Sequence, residues 1–333
     1  MTQNSSAASS DDAPFHIAFG IDASYFRYAA VTIVSILENN RDQSLHFHIL
    51  TEAVPDNVRD NFQSIAAQYD TRIDFHLPDL AIFRNLYEFS ASSQYSPAIF
   101  TRLMIPATLR DIAQTVLYLD ADIICAGSVA ALRKLDMRQE ILAVVSDELE
   151  TTVKNRCAAL HISSGRYFNS GVMLINVANW LSADVTDQVF ATLRDSQRNF
   201  LHPDQDALNL VLGDKVLYIE EKWNLRYNLE IMLRKGLASQ WLGEAVFMHF
   251  TGRIKPWLNW NLHPAKELFL RYQNLTPWRD APLEEPKNYK EMRMFVRFLI
   301  PQKQYAAALS WYVRYLVEKF RIKLGPASEK GKI

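Results

Sequence analysis

The chain has 333 residues, enough for two or three domains or for one large α/β domain with additions. Apolar residues make up 49% and charged residues 22%, which excludes whole-chain disorder, and the presence of only two cysteines, Cys125 and Cys157, excludes a disulfide scaffold. Thirty-six basic and 37 acidic residues give a formal net charge of −1, which argues against a dedicated nucleic-acid binder. In chain order, Met1–Pro14 is polar and rich in Ser and Ala, without a basic start or an apolar core. It reads as a disordered lead-in, not a secretory signal. Phe15–Phe19 is a first strand, Tyr28–Glu38 a helix ended by Asn39-Asn40, His46–Leu50 a strand, Asn57–Tyr69 a helix and Arg72–His76 a strand. This β-α-β-α-β alternation predicts a sheet wound with helices. Val116–Leu119 is a short, fully apolar run of the kind found in buried central strands. Ile141–Ser146, Gly171–Asn176, Val216–Ile219 and Val246–Phe250 are further strands. Asp204–Leu212 is a helix that starts after Pro203. After Pro277 the character changes: Pro282 and Pro286 mark a linker, and Asn288–Lys323 reads as helical with one break at Pro301. No apolar run reaches about 18 residues, so no transmembrane helix is expected. The cysteines lack C-x-x-C spacing. They fit a reducing, cytoplasmic compartment and read as small buried hydrophobes.

Five groups of residues could carry chemistry. Asp120-Ala121-Asp122 follows the strand VLYL. Positions i and i+2 share a strand face, so both carboxylates can meet a hard divalent cation at the strand end where open α/β sheets bind ligands. The same D-x-D also describes a solvated loop with capping acids. His249 ends the strand Val246–Phe250, and Gly252 and Lys255 follow. Its imidazole could complete a Mn²⁺ or Mg²⁺ site, and Gly252 and Lys255 could hold phosphate oxygens. Lone strand histidines are more often structural. Asp22, Ser24 and Tyr25 follow the first strand and could meet a nucleoside, or Asp22 could simply cap a helix. Asn169-Ser170-Gly171 could bind sugar hydroxyls or be an ordinary turn. Asp204-Gln205-Asp206 starts a helix, where acids also complement the dipole. No dinucleotide fingerprint, Walker A sequence, zinc H-E-x-x-H or nucleophile elbow occurs.

Taken together and in order, FGIDASY, FTRLMIP, VLYLDADIIC, YFNSGVMLIN, HPDQDALN and MHFTGRIKPW resemble the retaining nucleotide-sugar glycosyltransferases of family 8 over about residues 15–260. Within that family the chain looks most like the bacterial lipopolysaccharide core α-galactosyl- and α-glucosyltransferases. The resemblance implies a GT-A fold, a Rossmann-like mixed α/β sheet with helices on both faces, over residues 15–275. A basic helical domain over 276–333 would follow. It assigns Asp120, Asp122 and His249 to Mn²⁺, with Ala121 between them at the donor. It places Gly20, Asp22 and Tyr25 against uridine, with Ser24 where several relatives have Asn. Arg102, the Asn169-Ser170-Gly171 turn, Asp204, Gln205 and Asp206 would approach the donor sugar, and Gly252 and Lys255 the diphosphate. The implied activity is transfer of galactose or glucose from a UDP-sugar to the lipopolysaccharide core with retention. Gln205 would support a front-face attack, and Asp204 is the reserve nucleophile. Another glycan or glycoprotein acceptor, a silent UDP-sugar binder and a nucleotide-sugar hydrolase are the alternatives.

From Lys287 to Ile333 eleven basic residues face three acidic ones, a balance of +8 that leaves −9 on the rest. On a helix, Leu309, Val313, Leu316 and Phe320 share one face, and Trp311, Tyr315 and Ile322 share the opposite one. One face could dock on the protein and the other lie on an anionic inner membrane, making the enzyme cytoplasmic and peripheral.

Overall fold

The computed structural model describes residues 13–79, 97–147, 150–195, 200–213, 215–235 and 244–324. Residues 1–12 of the expected lead-in and the basic residues Lys330 and Lys332 lie outside this set. The strands are β1 (Phe15–Gly20), β2 (Leu45–Leu50), β3 (Arg72–His76), β4 (Thr115–Leu119), β5 (Ile123–Cys125), β6 (Leu142–Ser146), β7 (Phe168–Asn176), β8 (Val216–Tyr218), β9 (Leu225–Arg226) and β10 (Phe247–His249). The helices are α1 (Phe26–Asn39), α2 (Asp56–Tyr69), α3 (Ile105–Thr108), α4 (Ala130–Arg133), α5 (Glu150–Leu160), α6 (Val177–Ser182), α7 (Val185–Leu193), α8 (Pro203–Leu212), α9 (Leu229–Lys235), α10 (Ala265–Gln273), α11 (Tyr289–Leu299) and α12 (Tyr305–Leu324). A 3₁₀ segment, Pro97–Met104, precedes α3.

The main sheet has the order β3-β2-β1-β4-β7-β6-β8. Its first four positions are parallel, and β7 runs antiparallel to both β4 and β6. The sheet is therefore mixed α/β, as the resemblance to family 8 implies. A small sheet, β5-β10-β9, pairs β10 antiparallel to β5 and parallel to β9. Helix α1 is buried from Tyr28 to Leu37 and carries polar residues that serve β5. Thr32 Oγ1 donates to the carbonyl of Ile123 at 2.8 Å, and Ser35 Oγ accepts from the amide of Cys125 at 2.9 Å. Asn40 accepts from the Val129 amide at 2.8 Å. Buried backbone groups need such partners, so these side chains fix the turn that carries Asp120 and Asp122. Cys125 lies in the same region as a buried thiol, and burial pushes its pKa up to about 12. It is a small apolar filler, not a nucleophile.

Two compact units emerge. One comprises Met1–Arg226, Leu242–His249 and Leu275–Trp278; the other comprises Tyr227–Trp241, Phe250–Asn274 and Arg279–Ile333. This division differs from the one read at residues 275/276, because the chain passes between the units several times. In the second unit, Asn288 caps α11 by accepting from the Glu291 amide at 3.0 Å, while the Glu291 carboxylate accepts from the Lys287 amide at 2.7 Å. This reciprocal cap sets the helix start. The expected break at Pro301 is a turn ending with Lys303 at φ 59°. Helix α12 packs on α11 through Trp311 against Phe295, with ring centroids 5.3 Å apart, and through Tyr315 against Tyr289. Leu309, Val313 and Phe320 are exposed on the other side.

Candidate active site

Three elements bring the acids and the imidazole together. Strand β4 ends at Leu119, and the Asp120 amide donates to the Gly171 carbonyl of β7 at 2.8 Å. The turn then enters β5. In the β5–β10 ladder Ile123 pairs with His249, which places the imidazole beside Asp122. His249 Nε2 lies 3.2 Å from Asp122 Oδ1 and 3.7 Å from Asp120 Oδ2. The three candidate ligand atoms fall within 4.8 Å of one another.

The other face of His249 is held. Its Nδ1 is 3.0 Å from Asn224 Oδ1, an oxygen that only accepts, so Nδ1 donates there and Nε2 is the nitrogen turned to the acids. Asn224 Nδ2 donates to Asn169 Oδ1 at 2.9 Å. Asn169 Nδ2 donates to Gln205 Oε1 at 3.1 Å, and the Ser170 amide donates to the same oxygen at 3.0 Å. Gln205 Nε2 donates to the Tyr167 hydroxyl at 3.0 Å. The Gln205 amide is thus held at both ends by buried partners.

Arg102 sits at the centre of the second half of this network. Its guanidinium donates to Asp120 Oδ1 at 2.9 Å and to Ser170 Oγ at 2.9 Å, and pairs with Asp204 Oδ2 at 3.0 Å. It also lies 4.7 Å from the centre of the Tyr118 ring. Burial works against the charge of Arg102. Asp120 and Asp204, with Tyr118 and Asp122, outweigh it and raise the guanidinium pKa above its usual value. The Tyr118 hydroxyl donates to Asp120 Oδ1 at 2.5 Å. Burial is the main cause that pushes the Tyr118 pKa upward, so the phenol remains a donor.

Two glycines are required by close approach. A Cβ on Gly171 would lie 2.3 Å from His249 Cε1 and 2.8 Å from Asp120 Oδ2. A Cβ on Gly20 would lie 2.1 Å from Thr101 Oγ1 and 3.1 Å from the Arg102 amide. Gly20 therefore lets the 3₁₀ segment that carries Arg102 approach the end of β1.

Asp22 and Ser24 form their own turn after β1, where Asp22 Oδ1 accepts from the Ser24 amide at 2.9 Å and from its hydroxyl at 2.6 Å. Tyr25 follows as the residue before α1, its ring edge-on to Tyr28. Asp206 is fully buried. It pairs with Arg156, accepts from the Tyr167 hydroxyl at 2.5 Å, and accepts from the Leu201 and His202 amides at 2.8 and 3.0 Å. Those partners make Asp206 the anchor of the α8 start, with its oxygens turned to the protein. Gly252 and Lys255 belong to the second unit. Gly252 has φ 84°, and Lys255 Nζ donates to the Phe250 carbonyl at 2.6 Å. The network thus joins Asp120, Asp122, His249, Arg102, Asn169, Ser170, Gly171, Asp204 and Gln205.

Sequence reasoning missed Asn224, Tyr118, Tyr167 and Arg156. Tyr118 stands two positions before Asp120 on the same strand face, a spacing that points to it. Asn224 carries no local signal, because only the β9–β10 pairing, Met248 with Leu225, brings it to His249.

The donor set suits a divalent ion such as Mn²⁺: two carboxylates and one imidazole whose outer nitrogen is oriented by Asn224. The side-chain-free face of Gly171 is what lets His249 and Asp120 come this close to β7.

Comparison with known proteins places these residues in context. The model of glycosyl transferase family 8 matches residues 16–261, and that of the glycosyl transferase family 8 C-terminal region matches residues 263–319. The chain is 31% identical over 311 residues to the lipopolysaccharide glucosyltransferase WaaO of Escherichia coli K12, covering 92% of this chain and 91% of that one. It is 32% identical over 319 residues to the lipopolysaccharide 1,3-galactosyltransferase of Salmonella typhimurium, covering 94% of each. In fold it is similar to the galactosyltransferase LgtC, solved with donor and acceptor sugar analogues. The TM-score is 0.68 at 20% identity, over 79% of this chain and 96% of that one.

Proposed function

The chain belongs to glycosyl transferase family 8, and from that premise we propose that it moves an α-hexosyl group, galactose or glucose, from a UDP-sugar to a sugar of the lipopolysaccharide core with retention and with Mn²⁺ as its cofactor. It is a hexosyltransferase. The observation that carries the donor assignment is the Asp120-Asp122-His249 triad, with the His249 ring oriented by Asn224.

Asp120, Asp122 and His249 would hold the ion, which when bound neutralises charge on a diphosphate leaving group. The protein's own groups do the remaining work. Arg102 neutralises the Asp120 and Asp204 carboxylates and keeps each pointed inward. The Asn169-Ser170-Gly171 turn offers polar groups at the position proposed for the donor sugar. Lys255 and Gly252 are assigned to the diphosphate, and Asp22, Ser24 and Tyr25 to the uridine side.

Retention requires either a protein nucleophile or attack from the leaving-group face. Gln205 is the residue assigned beneath the anomeric carbon. An amide is a poor nucleophile, and this one is fixed by Ser170, Asn169 and Tyr167. Those facts favour front-face attack, with the acceptor's proton passing to the departing phosphate oxygen. Gln205 then supports positive charge on the sugar ring through its carbonyl oxygen. Asp204 is the reserve nucleophile, its Oδ2 already engaged by Arg102.

Among the described residues, no helix is long and apolar enough to cross a membrane. We assign the exposed Leu309, Val313 and Phe320 face of α12, flanked by Arg314 and Arg321, to peripheral contact with an anionic membrane surface. Deleting residues 305–333 should release the protein from anionic vesicles, and continued sedimentation with them would remove this assignment.

The deciding assay is UDP release from UDP-galactose and UDP-glucose in parallel, with Mn²⁺ or EDTA, and with or without truncated lipopolysaccharide. Metal-dependent release from one donor, raised by the acceptor, is the expected result. Release indifferent to the acceptor would point to another acceptor or to hydrolysis. Binding of UDP without any release would favour a silent binder.

A further inference from the structure

Half of the chain's eight histidines sit on one face of three neighbouring strands. They are His16 on β1, His46 and His48 on β2, and His76 on β3. The register explains the cluster: His16 pairs with His46, and His48 with Asp74, so alternate positions of parallel strands stack their side chains on the same side. His16 Nδ1 is 3.0 Å from His48 Nε2, and His48 Nδ1 is 3.0 Å from His76 Nε2. The His46 and His48 ring centroids are 4.1 Å apart. Asp74 Oδ2 lies 2.9 Å from His46 Nε2, and the Arg72 guanidinium holds that carboxylate in turn. One ring nitrogen from each of His16, His46 and His48 falls within 4.8 Å of the other two.

We propose that His16, His46 and His48 form a second metal site, distinct from the Asp120 triad, that takes an imidazole-preferring divalent ion with Zn²⁺ as its natural occupant. Several features support this. Three convergent imidazoles are the donor set of many four-coordinate zinc sites, with Zn–N bonds of about 2.0–2.1 Å. A carboxylate on the far nitrogen of a ligating histidine is the usual supporting partner, and Asp74 holds that place on His46. An open cavity of about 510 Å³ is lined by Arg72, Asp74 and His76, the last two of which contact His46 and His48 from β3. An all-nitrogen set also separates the two sites chemically. Imidazoles favour late first-row ions over Mn²⁺, whereas the two carboxylates of the Asp120 triad suit Mn²⁺. Bound there, the ion would cross-link β1 and β2 and stiffen the half of the sheet whose first strand leads to the Asp22 turn.

The test uses the full chain, stripped with EDTA and dialysed against Zn²⁺, with metal content measured by elemental analysis. His16→Asn, His46→Gln and His249→Asn are measured beside the unaltered protein, with circular dichroism to confirm folding. His16→Asn should lose one equivalent of zinc, while His249→Asn keeps that equivalent. Co²⁺ should give visible bands of a tetrahedral nitrogen site that persist in His249→Asn and vanish in His16→Asn. Zn²⁺ should raise the Tm of the His249→Asn protein and not that of His16→Asn. If His16→Asn does not fold, the half of the test carried by His46→Gln decides. Equal zinc in the unaltered and His16→Asn or His46→Gln proteins, or zinc lost only with His249, would overturn the proposal and leave the cluster as a chain of hydrogen-bonded neutral rings.

Discussion

Replacing Asn224 by alanine tests how far His249 depends on its support. The substitution removes the acceptor 3.0 Å from His249 Nδ1 and the donor 2.9 Å from Asn169 Oδ1. Asn169 Oδ1 still accepts from the Gly171 amide at 3.0 Å, so His249 is the group left wanting. An unsatisfied buried donor costs about 1–3 kcal/mol of stability. The larger consequence concerns the metal. With Nδ1 unclaimed, the ring can flip or change tautomer, and loss of such a partner weakens metal binding about 10–100-fold, which is about 1.4–2.7 kcal/mol at 1.36 kcal/mol per tenfold. The assay is UDP release titrated with Mn²⁺. The Mn²⁺ concentration for half-activity should rise about 10–100-fold, with turnover at saturating Mn²⁺ largely kept. Asn224→Asp should preserve Mn²⁺ dependence, because a carboxylate accepts from Nδ1 at least as well. An unchanged Mn²⁺ requirement in a folded Asn224→Ala protein would refute the role given to Asn224.

Other perturbations have directions set by the same geometry. Arg102→Leu strands Asp120 and Asp204 without their shared cation. It should cost about 3 kcal/mol in urea unfolding, the lower end for a broken buried pair because the Asp120 side chain keeps 24% exposure. Gly171→Ala forces a Cβ to 2.3 Å from His249 Cε1. UDP release should fall by about 100-fold, the cost of misplacing a group by an ångström, while the protein stays folded at about 1–3 kcal/mol lower stability. Asp206→Asn should lower the Tm more than it changes donor KM, since its carboxylate meets Arg156, Tyr167 and backbone amides. Metal-free protein should also lose stability in mild acid. Burial, His46 and Arg72 lower His16 from 6.5 to about 4, and burial with its histidine neighbours lowers His48 from 6.5 to about 3. Asp74 is the opposing charge facing His48. A depressed histidine pKa contributes stability fully above the unfolded value of 6.5, and that contribution fades as pH falls toward 4 and then 3. Urea midpoints from pH 7.5 to 4 should fall less steeply in His16→Asn.

Much of the scaffold was legible because it rests on local pattern. Arg72–His76 occupies its expected residues, and α1, α2 and α8 lie within two residues of the expected bounds at each end. Alternating apolar runs and terminal Asn or Pro signals determine such elements within a few residues of chain. The D-x-D was legible as a pair of acids at the end of a buried strand, but β4 ends at Leu119, so it is the turn into β5 and not strand alternation that brings Asp120 and Asp122 to His249. The basic C-terminal helices were legible from composition and helical spacing, and the packing chose the Trp311–Tyr315 stripe as the side that meets α11.

What the tertiary structure decided is which distant residues become neighbours. The antiparallel direction of β7 is absent from the run GVMLIN, since strand propensity carries no sign. His249 meets Asp122 through one pairing in a three-stranded sheet, and Asn224 joins it through another. Asp206 reads the same as Asp204 in HPDQDALN, yet one faces Arg156 and the other Arg102, because helix positions two apart point about 200° away from each other. The histidine cluster shows the same limit. Alternation along β2 is visible in LHFHIL, but only the registers of β1 with β2 and of β2 with β3 stack four imidazoles on one face. Sequence alone determined the elements, because hydrogen bonds and side-chain periodicity within them are local. Register and strand direction arise from burying all faces at once, so the contacts that build the sites exist only after the chain has folded.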